Sequence, residues 1–202
     1  MFRLDARRES PGTGGAVASP PAVACPLLRP FLRRVEKLHA APRVLLVGEM
    51  CGSNVSFLGE RGFQIAVEGS PASPANYEEV HAGALLWDHL ALMKTAAAAQ
   101  WIARIAQGLI PGGAVLALFP PASEGVPCPR TRFRIVSEEL ICREVLQERT
   151  DKAQVYQNRD IIRLFAGLDL DLLHTHRSGH REVLFFKGKP SGADPTTASP
   201  SR

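Results

Sequence analysis

Residues 44–47, Val-Leu-Leu-Val, form an unbroken apolar run, and Gly48-Glu49-Met50-Cys51-Gly52 follows it directly. An apolar run without polar alternation suits a strand covered on both faces, as in a parallel sheet. Residues 55–60 behind the turn read as a helix that Arg61-Gly62 stops, with Gly62 at the usual C-terminal glycine position. A parallel strand must be followed by a crossover, so this one unit already commits the chain to alternating strands and helices.

The rest of the chain keeps to that alternation. Leu27, Leu28, Phe31, Leu32, Val35 and Leu38 recur at helical spacing ahead of the first strand. Phe63–Val67 predicts a second strand ending in Glu68-Gly69, and Ala84–Trp87 predicts a third, followed by Asp88-His89. A helix is expected over Met93–Gln107, with Trp101 and Ile105 on its inner side. Pro111-Gly112-Gly113 reads as a tight turn before a fourth strand, Ala114–Phe119. Residues 133–148 are mixed in pattern. Asn158 can cap a helix over residues 159–166, and residues 168–174 and 182–187 read as a terminal hairpin. The expected fold is α/β, a three-layer sheet that is mostly parallel with one antiparallel strand.

Residues 1–24 and 189–202 are rich in Pro, Gly, Ser, Ala and Thr without periodicity and are expected to be disordered tails around one domain at 25–188. Ala22-Val23-Ala24-Cys25 faintly matches a lipoprotein cleavage site. Gly12–Pro21 stands where an export signal needs its apolar run, so a cytoplasmic location is expected. No apolar run approaches the roughly 18 residues of a membrane helix, so no membrane partner is expected. The charge is +4 (24 Lys and Arg against 20 Asp and Glu). Arg130, Arg132 and Arg134 lack aromatic neighbours, which reads as solvated surface rather than a nucleic-acid face. The four cysteines form no C-x-x-C pair, and His174, His176 and His180 lack a carboxylate or cysteine pattern beside them, so no metal is expected.

In open α/β sheets ligands gather beyond the carboxyl ends of the strands. Gly48 and Gly52 let the backbone turn and approach a ligand, and Ser53 or Asn54 can cap the helix behind them. Glu68, 16 residues beyond Gly52, ends the second strand, where a carboxylate can accept both hydroxyls of a ribose.

The run Val44 to Gly52 resembles the first motif of class I S-adenosylmethionine-dependent methyltransferases. Gly83–Leu90 is similar to the family's segment after its fourth strand, and Leu109-Ile110-Pro111-Gly112-Gly113 resembles its Leu-x-Pro-Gly-Gly turn. The resemblance covers residues 43–187 and implies a Rossmann-like methyltransferase that uses S-adenosyl-L-methionine. It implies cofactor contacts from Gly48, Glu49, Gly52, Asn54, Glu68, Gly69, Trp87 and Asp88. Asp88, His89 and His81, read as lying near the strand ends, are the candidate bases for an acceptor that is protonated at neutral pH. Leu46 stands where the family has an acid and Met50 where it has a glycine; Glu49 can take the acid's place. Between the second strand and the Leu85 strand the family places a helix, a strand and a helix, roughly 35 to 40 residues. Gly69–Gly83 supplies 15. The edge strand after Glu68 is therefore expected to be missing, with the second strand as a new edge open to a partner. The acceptor, small molecule or protein, is not specified by these residues. The rival reading is a non-catalytic interaction or regulatory module on the same fold.

Overall fold

The computed structural model describes residues 20–49, 51–68, 80–122, 129–147 and 154–188. Met50 and Gly69, both singled out above, and one of the four cysteines, Cys128, lie outside them, as does most of the short segment after Glu68.

The chain begins with a strand, β1 (Ala22–Ala24), and helix α1 (Leu28–Glu36). Next come β2 (Arg43–Val47), α2 (Gly52–Glu60), β3 (Gln64–Glu68) and β4 (His81–Leu86). A 3-10 turn over Asp88–Leu92 leads to α3 (Thr95–Gly108) and β5 (Leu109–Phe119). The hairpin β6 (Arg130–Ser137) and β7 (Leu140–Gln147), then α4 (Asn158–Leu164), β8 (Asp169–Thr175) and β9 (Arg181–Phe186) complete it.

Six strands form the central sheet in the order β3-β2-β4-β5-β9-β8. The first four run parallel, and β9 is antiparallel to both β5 and β8. This is the expected mostly parallel sheet, with β3 at its edge among the described residues. β2 and β4 are central, and four of the five β2 residues and all six β4 residues are buried. That two-sided burial is why their sequences lack polar alternation.

One face carries α1 and α2. Leu28, Phe31, Leu32 and Val35 of α1 are buried in a cluster with Leu46, Leu58 and Leu85. α1 comes so close to β4 that a Cβ at Gly83 would lie 2.7 Å from Val35 Cγ2 and 2.8 Å from Phe31 Cζ. The other face carries α3 and α4, with Trp101, Ile105, Ile161 and Phe165 buried against Leu45, Leu86 and Val115. Each such fully buried side chain contributes roughly 1.5–3 kcal/mol.

Two expectations are corrected, and one stretch left open by its pattern is assigned. Pro111-Gly112-Gly113 is not a turn ahead of a strand but an interruption inside β5: His81 pairs with Leu109 and Gly83 with Ala114, so five β5 residues advance against two of β4. Gly113 packs where a Cβ would lie 2.9 Å from Ile110 O and 3.2 Å from Ala82 O, and Gly112 holds φ +83°, so the interruption needs both glycines. Residues 133–148, mixed in pattern, form most of the β6–β7 hairpin. Ala22–Ala24, assigned to the amino-terminal tail, is a strand paired antiparallel to β7, which makes a second sheet of order β1-β7-β6. Its backbone groups find partners on β7, something no composition count could reveal.

Candidate functional site

The carboxyl ends of β2, β3, β4 and β5 lie side by side, which brings Gly48, Glu49, Glu68, Trp87 and Asp88 to one edge of the sheet. Gly48 has φ +118°, and its N–H donates to Glu68 O at 3.3 Å, joining the two strand tips. A Cβ there would rest 3.6 Å from Trp87 Cδ1, whereas at Gly52 it would meet no atom within 4 Å. Cys51, not Ser53 or Asn54, is the residue ahead of α2, and no side chain caps that helix.

Glu68 is buried, and the indole N–H of Trp101 donates to its Oε1 at 3.0 Å. The residue read as the sugar-gripping acid is thus held rigidly at the strand tip by α3.

Asn54 is buried and faces the β6 backbone rather than the turn. Its Nδ2 donates to Phe133 O at 2.8 Å, and its Oδ1 accepts from Ile135 N–H at 2.7 Å. Glu49 is ion-paired to Arg130. Trp87 is buried with its ring stacked on Phe133, centroids 5.2 Å apart and planes 13° apart. His89 packs edge-on to Trp101 at 5.6 Å. His81 lies at the opposite end of the sheet, as the first residue of β4, where burial and the Arg43 charge lower its pKa.

Asp88 is strongly perturbed. Burial pushes its carboxyl up to about 6, against the opposing pull of the Thr131 hydroxyl that donates to its Oδ2 and of Arg143, whose Nη2 lies 3.9 Å away. A carboxyl of that pKa changes charge near neutrality, which suits proton transfer. Arg143 Nη1 also reaches His180 Nε2 at 2.9 Å, so the ring nitrogen accepts, and Nδ1 faces Ser178 Oγ at 3.1 Å. That arrangement keeps His180 neutral, and burial with the Arg143, His176 and Arg181 charges lowers its pKa to about 4.

These groups surround a cavity of about 200 Å³ between the β1-β7-β6 sheet and the ends of β5 and β9. Asp88 and Phe133 are buried, while Ser178 at the β8–β9 turn is exposed, so the cavity opens toward that turn. Sequence reasoning missed Thr131, Phe133 and Arg143, which the β6–β7 hairpin delivers. A signal existed: Thr131, Phe133 and Ile135 alternate with arginines at the period of a strand. His176 turns to Glu182 Oε1, His174 packs edge-on to His176 at 4.6 Å, and no group of three metal-ligating side chains occurs among the described residues. Tyr156, ahead of α4, is buried edge-on to Phe119, and Arg159 in the first turn of that helix is exposed beside Asp160. No described helix is long and apolar enough to cross a membrane.

No protein-family model matches the chain, and no curated protein does. Solved structures match its fold. A S-adenosylmethionine-dependent methyltransferase from Methanosarcina mazei superposes with a TM-score of 0.55 at 12% identity, over 82% of this chain and 99% of that one. One from Mesorhizobium loti gives 0.56 at 11% identity, over 80% and 96%. The 4+2 cyclase SpnF gives 0.50 at 12% identity, over 81% and 80%. The chain therefore has the fold of class I S-adenosylmethionine-dependent methyltransferases, a fold that also carries other chemistry.

Proposed function

We propose that this chain is a S-adenosylmethionine-dependent methyltransferase whose cofactor lies over Gly48 and Gly52 with its ribose on Glu68. The observation that carries the reading is the buried Glu68 carboxylate, fixed by Trp101 at the tip of β3 beside a glycine turn that is open above Gly52. A nucleoside sugar presents two adjacent hydroxyl donors, and a fixed carboxylate is their natural acceptor. When bound, S-adenosylmethionine supplies a methyl group on a sulfonium, and the breaking carbon–sulfur bond leaves its electron pair on sulfur.

The chain's own part is placement and proton handling. Glu68 and the glycine turn orient the donor, the β1-β7-β6 sheet excludes water over the strand ends, and Asp88 takes a proton from the acceptor. Positioning of this kind can supply most of the rate of an in-line displacement. Glu49, Asn54 and Trp87 serve structure here, since each already has a partner in Arg130, the β6 backbone or Phe133.

Calorimetric titration with S-adenosylmethionine tests the reading. Binding is expected, and Glu68→Gln, which still accepts from Trp101 but has lost its charge, is expected to weaken it about tenfold. Absence of binding by the wild-type chain at millimolar cofactor overturns the proposal. That outcome favours the second reading, a non-catalytic module, which the Phe133–Trp87 stack and the tied Asn54 amide support because they bind the hairpin down over the strand ends.

A further inference from the structure

The cavity beside Asp88 has a composition of its own. Its walls are mainly apolar, from Val23, Leu118, Phe133 and Ile141, with Asp88 and Arg143 at the inner end. An apolar cavity of about 150 Å³ holds one benzene ring. At about 200 Å³ this one has room for a ring and a few substituent atoms. A ring also fills such a space without internal rotations to freeze.

The polar end selects among substituted rings. Asp88 Oδ2 and Arg143 Nη2 face each other at 3.9 Å, too far for a hydrogen bond and spaced for one bridging oxygen. Arg143 is also short of partners, because its buried Nε has none among the described residues. A hydroxyl satisfies both sides of the gap, accepting from the guanidinium and donating to the carboxylate. A carboxylate substituent could pair with Arg143 but would set a second anion directly against Asp88 Oδ2, which a neutral hydroxyl does not. An amine could donate to Asp88 but would turn its hydrogens on Arg143.

We propose that this cavity binds a small neutral phenol, with its ring among Val23, Leu118, Phe133 and Ile141 and its hydroxyl bridging Asp88 and Arg143. This deepens the methyltransferase reading and rests on it for one point only, that the phenol oxygen is the methyl acceptor. A phenolic proton, with a pKa of about 10, lies within reach of a carboxylate base in a way an aliphatic alcohol's does not.

The test is a binding series on the full-length chain without cofactor, using 4-methylphenol, toluene and 4-methylbenzoate, read by protein-observed NMR. 4-Methylphenol is expected to bind at least tenfold more tightly than either of the others. Asp88→Asn is expected to shrink its advantage over toluene at least threefold, and Ile141→Phe, which fills the cavity, to abolish binding. Equal affinity for toluene and 4-methylphenol, a preference for 4-methylbenzoate, or no binding by the wild-type chain overturns the inference even if a variant fails to fold. The cofactor titration separates the two claims. Cofactor binding without 4-methylphenol binding removes the phenol site alone, and the reverse keeps the site but removes the methyltransferase reading.

Discussion

Asp88 and His180 are joined through one guanidinium, and their proton equilibria oppose each other. The native state raises Asp88 from 3.8 to about 6 and so holds that proton more tightly than the unfolded chain does. Its contribution to stability therefore falls as pH rises from about 4 to about 6 and stays lost above, a swing of about 3 kcal/mol. His180 is lowered from 6.5 to about 4, so its contribution is present above 6.5 and is lost as pH falls toward 4. In the wild-type chain the two slopes offset each other. Separate substitutions expose them. Relative to wild type, Asp88→Asn should lose stability more steeply on acidification from pH 6 to 4, and His180→Gln less steeply, in urea titrations at each pH. Parallel curves for all three proteins would refute the assignment. At this scale the sequence marked Asp88 by its place after an apolar strand. It could not mark the shift, which comes from burial in the folded molecule and is held in check by Thr131 and Arg143, more than 40 residues further along the chain.

The element that depends most on a single residue is the β6–β7 hairpin. Asn54, on α2, makes both of its hydrogen bonds to β6, and around it Arg61 of the α2 terminus pairs with Glu36 of α1 and Glu138 of the hairpin turn. Arg29 of α1 reaches Glu138 and Glu139. The exposed pairs contribute little each. The buried amide contributes more, because its loss leaves Phe133 O and Ile135 N–H unpaired away from water. Asn54→Ala should therefore lower stability by about 1–3 kcal/mol and raise amide exchange at Phe133 and Ile135 before that of β2 or β4. Uniform exchange across both sheets would contradict this. As an asparagine near a helix start, this residue read as a cap. Its true role needed the hairpin, whose alternating pattern was visible but whose docking surface was not.

For the whole molecule, the second sheet shares a buried core with the first. Phe133, Ile135 and Ile141 lie in the same buried cluster as α1 and the strands β2 and β4. The ring stack of Trp87 on Phe133 crosses the junction. Both sheets should consequently melt together. The near-ultraviolet circular dichroism of Trp87 and the far-ultraviolet signal should fall in one coincident transition in urea. An early near-ultraviolet loss with the backbone signal intact would mean that the hairpin unfolds alone.

Hydrophobic pattern alone determined the alternating strands and helices, the parallel sheet with its closing hairpin, and the glycine turn with Glu68 at the next strand end. These are set by local periodicity and by glycine's backbone freedom, which neighbours in the chain suffice to specify. Tertiary structure decided the rest: the β5 interruption at Gly113, the capture of Ala22–Ala24 by β7, the diversion of Asn54 and Trp87 into packing, and the cavity beside Asp88. Each is a contact between residues far apart in sequence, whose strength depends on burial and distance, quantities that exist only once the chain has folded.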